Sequence, residues 1–120
     1  MEYVDGFVIP VPKKKLKAYL GLAKQAARIW KDHGALIFRE SVADDVKVGK
    51  RTSFPRSVKL KRGETIVLSW IVYKSRSHRD RVNAKVMKDP RFVKMVANPR
   101  AAPFDMKRMF MGGFKILVKA

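Results

Sequence analysis

The chain predicts an α+β fold, one four-stranded antiparallel sheet backed by two helices, and three observations carry that expectation. The stretch Thr65 to Lys74 is apolar on both faces of an extended chain. Alternation puts Ile66, Leu68, Trp70 and Val72 on one face and Val67, Ile71 and Tyr73 on the other, with Ser69 the small polar exception. The first strand is nearly two-sided as well. A strand apolar on both faces belongs inside a sheet that is covered on both sides. Finally, the elements follow the order strand, helix, strand, strand, helix, strand. Right-handed crossovers make the two strands that precede helices central neighbours, and these are the two-sided ones. That is a ferredoxin-like βαββαβ unit, one domain over residues 1–120.

Taken in order, Tyr3 to Val11 is the first strand. Tyr3, Phe7, Ile9 and Val11 face one way and Val4 and Val8 the other, and Pro10 and Pro12 end it. Asp5 points to the Phe7 face, where a carboxylate needs a partner, and Gly6 permits close approach of a ligand or another backbone. Lys14 to His33 has a helical apolar stripe, Leu16, Leu20, Ala23, Ala27 and Trp30, with Tyr19 beside it and Gly34 placed to cap it. Leu36 to Val42 is the second strand. Periodicity weakens from Ala43 to Gly63, where Val58 to Lys61 is a candidate short strand. After the central strand, Ser77 and Asp80 form a capping pair for a second helix carrying Val82 and Val86. Asp89-Pro90 starts a short helix through Val96. Met109 to Val118 closes the sheet, with Gly112-Gly113 a bulge or close packing point.

Composition limits the function classes. The chain has no cysteine, which excludes disulfides, thiolate nucleophiles and thiolate metal ligands. Its start resembles no signal peptide, and no apolar run approaches the ~20 residues of a membrane span. The expected location is the cytoplasm, with no membrane insertion. The 28 Lys and Arg against 10 Asp and Glu give a formal net charge of +18. Such a field attracts polyanions whether or not that is its task. The basic residues are scattered through every segment, as on a uniformly cationic surface.

Several stretches resemble the bacterial YbaA-like family of unknown function. They are Tyr3-Val-Asp-Gly-Phe7, Asp45 with Gly49-Lys50, Ser69-Trp-Ile71, Met87 with Asp89-Pro-Arg91, Pro103-Phe-Asp105, Lys107-Arg-Met109 and Gly112-Gly-Phe114. The resemblance implies a dimeric α+β barrel in which two subunits pack sheet on sheet. It implies no activity. The superfamily includes cofactor-independent monooxygenases and haem-handling proteins, an analogy of fold alone. The chain departs from the family in its strong positive charge and in carrying Met111 where an aromatic residue is usual.

The site candidates follow. Asp5 and His78 are the possible catalytic groups, as acid or base. Trp70, Tyr73, Asn83 and Phe114 are expected to line a pocket for a small planar ligand, with monooxygenase-like chemistry as the possible activity. Against this stands the plainer reading, with Trp70 and Phe114 as core or interface, Asp5 as hydrogen-bonded structure and His78 as a solvated first-turn histidine. No spacing of His with Asp or Glu suits a metal, and no cofactor is expected. The alternative is nucleic-acid binding through Lys13, Lys14, Lys15, Arg79, Arg81 and Lys85, and a third reading is a cationic or recharged scaffold without catalysis. A sheet face that two helices cannot cover calls for a homodimer.

Overall fold

The computed structural model describes residues 1–120. The strands are β1 (Tyr3–Pro12), β2 (Ile37–Val42), β3 (Glu64–Tyr73) and β4 (Phe110–Lys115). The helices are α1 (Leu16–Asp32), α2 (Phe54–Ser57), α3 (Arg76–Lys88) and α4 (Pro90–Met95). Sheet order is β2-β3-β1-β4, with every neighbouring pair antiparallel. The expected ferredoxin-like fold is therefore present, with β1 and β3 in the middle.

The helices cover the face that carries the odd-numbered residues of β1 and β3. One cluster joins Ile29, Ala35, Ile71, Tyr73, Val82 and Val86, and Trp30, Phe38 and Phe92 pack around it. A second joins Ile9, Val11, Tyr19, Ala23 and Val67. The buried stripe of α1 is rotated from the expected one. Tyr19, Ala23 and Ile29 are buried, while Leu20 is 42% exposed. Aromatic Tyr19 reaches Phe104 edge-on at 5.6 Å and donates to Glu40 at 2.9 Å, so the helix leans on that side.

Three local expectations are corrected. Val58 to Lys61 forms no strand. Ser53 caps α2 by accepting from the Arg56 N–H, and Lys59 takes a positive φ of 49°. The cap of α3 is Ser75 rather than Ser77, because Ser75 Oγ accepts the His78 N–H. β4 stops at Lys115, and Leu117 and Val118 beyond it are exposed. Gly34 ends α1 with a φ of 110°, as its position suggested. The 43–63 connection folds over one end of the second sheet face, where Val58 packs on Val8 and Ile66 beside Ala43 and Leu60.

A polar staple ties α1 to α4. Asp89 caps α4, accepts from the Arg91 guanidinium at 2.8 Å and meets His33 Nε2 at 2.8 Å, while Arg91 also binds Asp32 at 2.8 Å. His33, at the C-terminal end of α1, therefore has a specific anionic partner in Asp89. Hydrogen bonds from Arg91 and then His33 hold the Asp89 carboxyl well below the usual range. A depressed carboxyl contributes stability above its unfolded value and loses it as pH falls through its folded value. Asp89→Asn is therefore expected to melt lower than the native chain at neutral pH, with the gap closing in strong acid. Thermal melts across that range measure it.

Candidate functional site

The sheet splits the candidate residues between its two faces. Tyr73, Asp5 and Asn83 lie on the face that α1 and α3 cover, and Trp70 and Phe114 lie on the other face. Adjacent strand residues point to opposite faces, so Trp70 and Tyr73, three positions apart, cannot meet. The single pocket expected from Trp70, Tyr73, Asn83 and Phe114 is not formed within one chain.

On the helix side, Asp5 is 2% exposed and sits 3.5 Å from Arg79 Nε. Asp5 Oδ1 and Arg79 Nε have no hydrogen-bond partner. Arg79 Nη2 donates to the Tyr3 hydroxyl at 3.1 Å, and its guanidinium lies over the Tyr3 ring at 5.0 Å. Trp30 Nε1 donates to Asn83 Oδ1 at 3.1 Å, and the Tyr73 hydroxyl reaches the same oxygen at 3.4 Å. Burial raises the Asp5 carboxyl, partly offset by Arg79 and by the Tyr73 hydrogen bond. Burial also pushes Tyr73 up, with the neighbouring Asp5 charge adding to it. His78 stands apart. Its Nδ1 accepts the Lys74 N–H at 3.0 Å, and its ring meets Tyr73 edge-on at 6.1 Å. Burial, then Lys74, Arg81 and Lys85, lower its pKa and favour the neutral ring.

The other face consists of three rows that cross all four strands. Phe114, Val4, Val72 and Ile37 form one, Gly112, Gly6, Trp70 and Arg39 the next, and Phe110, Val8, Leu68 and Ser41 the third. Phe114 is 63% exposed, Phe110 47% and Leu68 39%. The double glycine serves both faces. Gly113 stands opposite Asp5, and a Cβ there would fall on the Tyr3 hydroxyl and 2.7 Å from Arg79 Nη2. Gly112 stands opposite Gly6 on the open side, where a Cβ on Gly6 would meet nothing within 4 Å. The register is unbroken, so the pair is a close packing point and not a bulge. Gly113→Ala is expected to cost about 1–3 kcal/mol from overpacking. Gly6→Ala should stay within about 0.5 kcal/mol. Urea unfolding of the two variants measures the contrast.

The basic candidates scatter. Lys13 to Lys15 form a 3-10 turn after β1, at the Glu64 end of the sheet, while α3 starts beyond Tyr73 at the other end. Arg79 is turned inward, and Arg81 and Lys85 are exposed. Sequence reasoning missed a cleft of about 420 Å³ between the first 3-10 turn, the start of β3 and the loop before β4. Lys15, Lys61, Arg100, Lys107 and Arg108 line it with Glu64 and Asp105. Arg108 grips Glu64 through both guanidinium nitrogens at 2.7 and 2.8 Å and so holds that carboxyl below its usual range. Arg79 as the partner of Asp5 was also missed, since no pattern in the sequence joins the two. No three His, Asp or Glu side chains converge as a metal site requires. No helix is long and apolar enough to cross a membrane.

A family model described as a protein of unknown function, DUF1428, matches residues 2–106. The uncharacterized protein YbaA of Escherichia coli strain K12 is 46% identical over 118 residues, 98% of each chain. Among solved structures, a dimeric ferredoxin-like protein from an uncultured marine organism aligns over 100% of both chains with a TM-score of 0.59 at 12% identity. A variant of SnoaB, a cofactor-independent oxygenase from Streptomyces nogalater, aligns over 98% of this chain and 95% of its own with a TM-score of 0.51 at 15% identity. At these identities the structural likeness is one of fold.

Proposed function

The chain belongs to the DUF1428 family, and from that premise we propose that it works in the cytoplasm as a homodimer joined sheet to sheet, handling a small planar ligand with monooxygenase-like chemistry. The observation that carries this reading is the open face, apolar over β1, β3 and β4 with Ile37, Arg39 and Ser41 on β2, and uncovered except by the 43–63 connection at one end. Monomers seldom leave such a patch in water. Burial contributes about 25 cal/mol per Å², so an interface of about 1,600 Å² supplies a large gross drive even after association costs. Repulsion between two chains of +18 opposes it, but that charge is spread over the surface and screened beyond ~8 Å at physiological salt. Dissociation should therefore increase as salt is lowered, the reverse of a dimer held by ion pairs, and sedimentation at two salt concentrations reads it.

For the chemistry, the neighbouring oxygenase fold and the buried Asp5 support acid–base handling of an oxidisable aromatic. A thermal-shift and turnover screen against quinols, flavins and haem tests it. A hit weakened by Asp5→Ala or His78→Ala supports the reading, and a screen in which nothing shifts the melting temperature or turns over overturns it.

A second reading, polyanion binding, is favoured by the cationic cleft at Lys15, Lys61, Arg100 and Lys107, none of which has a carboxylate partner within 4.0 Å. Phosphate contacts make affinity fall with salt. A sequence-selective nucleic-acid complex that survives physiological salt would promote this reading, whereas uniform weak binding lost by then is nonspecific charge.

A further inference from the structure

We infer that the open face closes on a second copy of itself with its rows reversed, so that Trp70 of each subunit stands over the partner's Gly6 and Phe110 fills an apolar cavity at the partner's β2 edge. This rests on the dimer proposed above and fixes which of two arrangements it takes.

Symmetry leaves few ways to join the two faces. Packed sheets keep their strand directions within ~30° of each other, about 10 Å apart. The two-fold axis then lies in the plane between them, either across the strands or along them. With the axis across the strands, β2 lies over the partner's β2, and each residue of the middle row faces its own copy. Arg39 then meets Arg39, Trp70 meets Trp70, and bare backbone at Gly6 and Gly112 faces bare backbone. That sets like charges together and leaves a void where packing needs contact. With the axis along the strands, β2 lies over the partner's β4 and the order of each row is reversed. Trp70 then stands over the partner's Gly6, and Arg39 over the partner's Gly112. Arg39 needs no anion there, because it keeps its own bond to the Phe38 carbonyl at 3.1 Å.

In this arrangement each bulky group meets open space. Nothing in its own chain lies within 4 Å of a Cβ placed on Gly6, and only the Phe114 ring approaches one on Gly112, at 3.5 Å. At the other edge of the face lies a cavity of about 140 Å³, lined by Ser41, Val42, Val46, Phe54, Ile66 and Leu68. Its size is close to the ~150 Å³ of an apolar cavity that takes up benzene. Ser41 and Phe110 end the same row on opposite edges. The reversal therefore sets the Phe110 ring, 47% exposed in its own chain, against that cavity.

Charge joins the same two edges. Asp44 and Asp45 follow β2 and have no cation within 4.0 Å in their own chain. Lys107 precedes β4 at the same end of the sheet and has no carboxylate within that distance. Exchanging the edges brings the acidic turn of each subunit to the partner's Lys107, which gives each end of the interface an opposite-charge pair.

The chain has no cysteine, so introduced ones report the arrangement. Asp44→Cys and Lys107→Cys proteins are mixed, exchanged at low salt, returned to physiological salt and treated with a short bismaleimide, with light scattering on every sample. The mixture is expected to cross-link into dimers and each protein alone to stay uncross-linked. Arg39→Cys, which meets its own copy only with the axis across the strands, should also stay uncross-linked. Gly6→Leu, at a position without a left-handed φ, should raise the dissociation constant at least about tenfold while circular dichroism is unchanged. Adding Trp70→Ala should recover most of that loss, because the leucine then takes the space the ring has left. Self-cross-linking of Arg39→Cys, a dimer without the Asp44–Lys107 link, or a Gly6→Leu protein that pairs as the native chain does overturns the inference and leaves the dimer standing. A native monomer removes the dimer reading and this inference with it.

Discussion

Phe114→Asp is expected to yield a folded monomer. Phe114 is 63% exposed in the single chain, so its own subunit loses little when the ring goes. Across a two-fold interface the substitution places a carboxylate at two symmetric positions of an apolar face. Desolvating each costs several kcal/mol, and the dissociation constant should rise at least about a hundredfold. Phe114→Leu keeps the apolar surface and should keep the dimer. Far-ultraviolet circular dichroism alongside sedimentation separates loss of association from loss of fold. An aspartate variant that stays paired at micromolar concentration would place the interface elsewhere.

The second large effect falls on the other face. Asp5→Ala should cost about 3 kcal/mol, because it leaves the Arg79 guanidinium in a mostly buried site without its anion and deprives Tyr73 of a partner. Asp5→Asn keeps the shape and should cost less. The pH dependence has the opposite sign to that of Asp89. Burial raises the folded pKa of Asp5, so its contribution is complete below the ordinary carboxylate value and is lost as pH rises through the folded value. The deficit of Asp5→Asn should therefore be widest in acid and narrow toward neutrality, whereas that of Asp89→Asn widens. Guanidinium unfolding of both variants over that range shows whether the slopes diverge.

The topology was legible because it depends on patterns that survive in any one sequence. Two-sided apolarity marked β1 and β3 as central, and Gly34 and Asp89-Pro90 marked helix ends by backbone chemistry. What alternation alone left open was which row of β3 would face the helices. Ile66 to Val72 and, but for Ser69, Val67 to Tyr73 are both apolar rows, and the choice follows from how α1 and α3 pack on Tyr73 and Val67. The candidate site suffered from the same ambiguity. Trp70 and Tyr73 are both aromatic and close in sequence, yet a difference of three positions in a strand puts the sheet between them. The Asp5–Arg79 pair spans 74 positions and no local signal links its ends. The Gly6–Gly112 strip needed the β1–β4 register, which only the assembled sheet provides.

The account rests on the open face being an interface, and light scattering of the native protein at micromolar concentration and ordinary salt tests that most directly. The expected mass is that of two 13.8 kDa chains. A single 13.8 kDa particle under those conditions would contradict it.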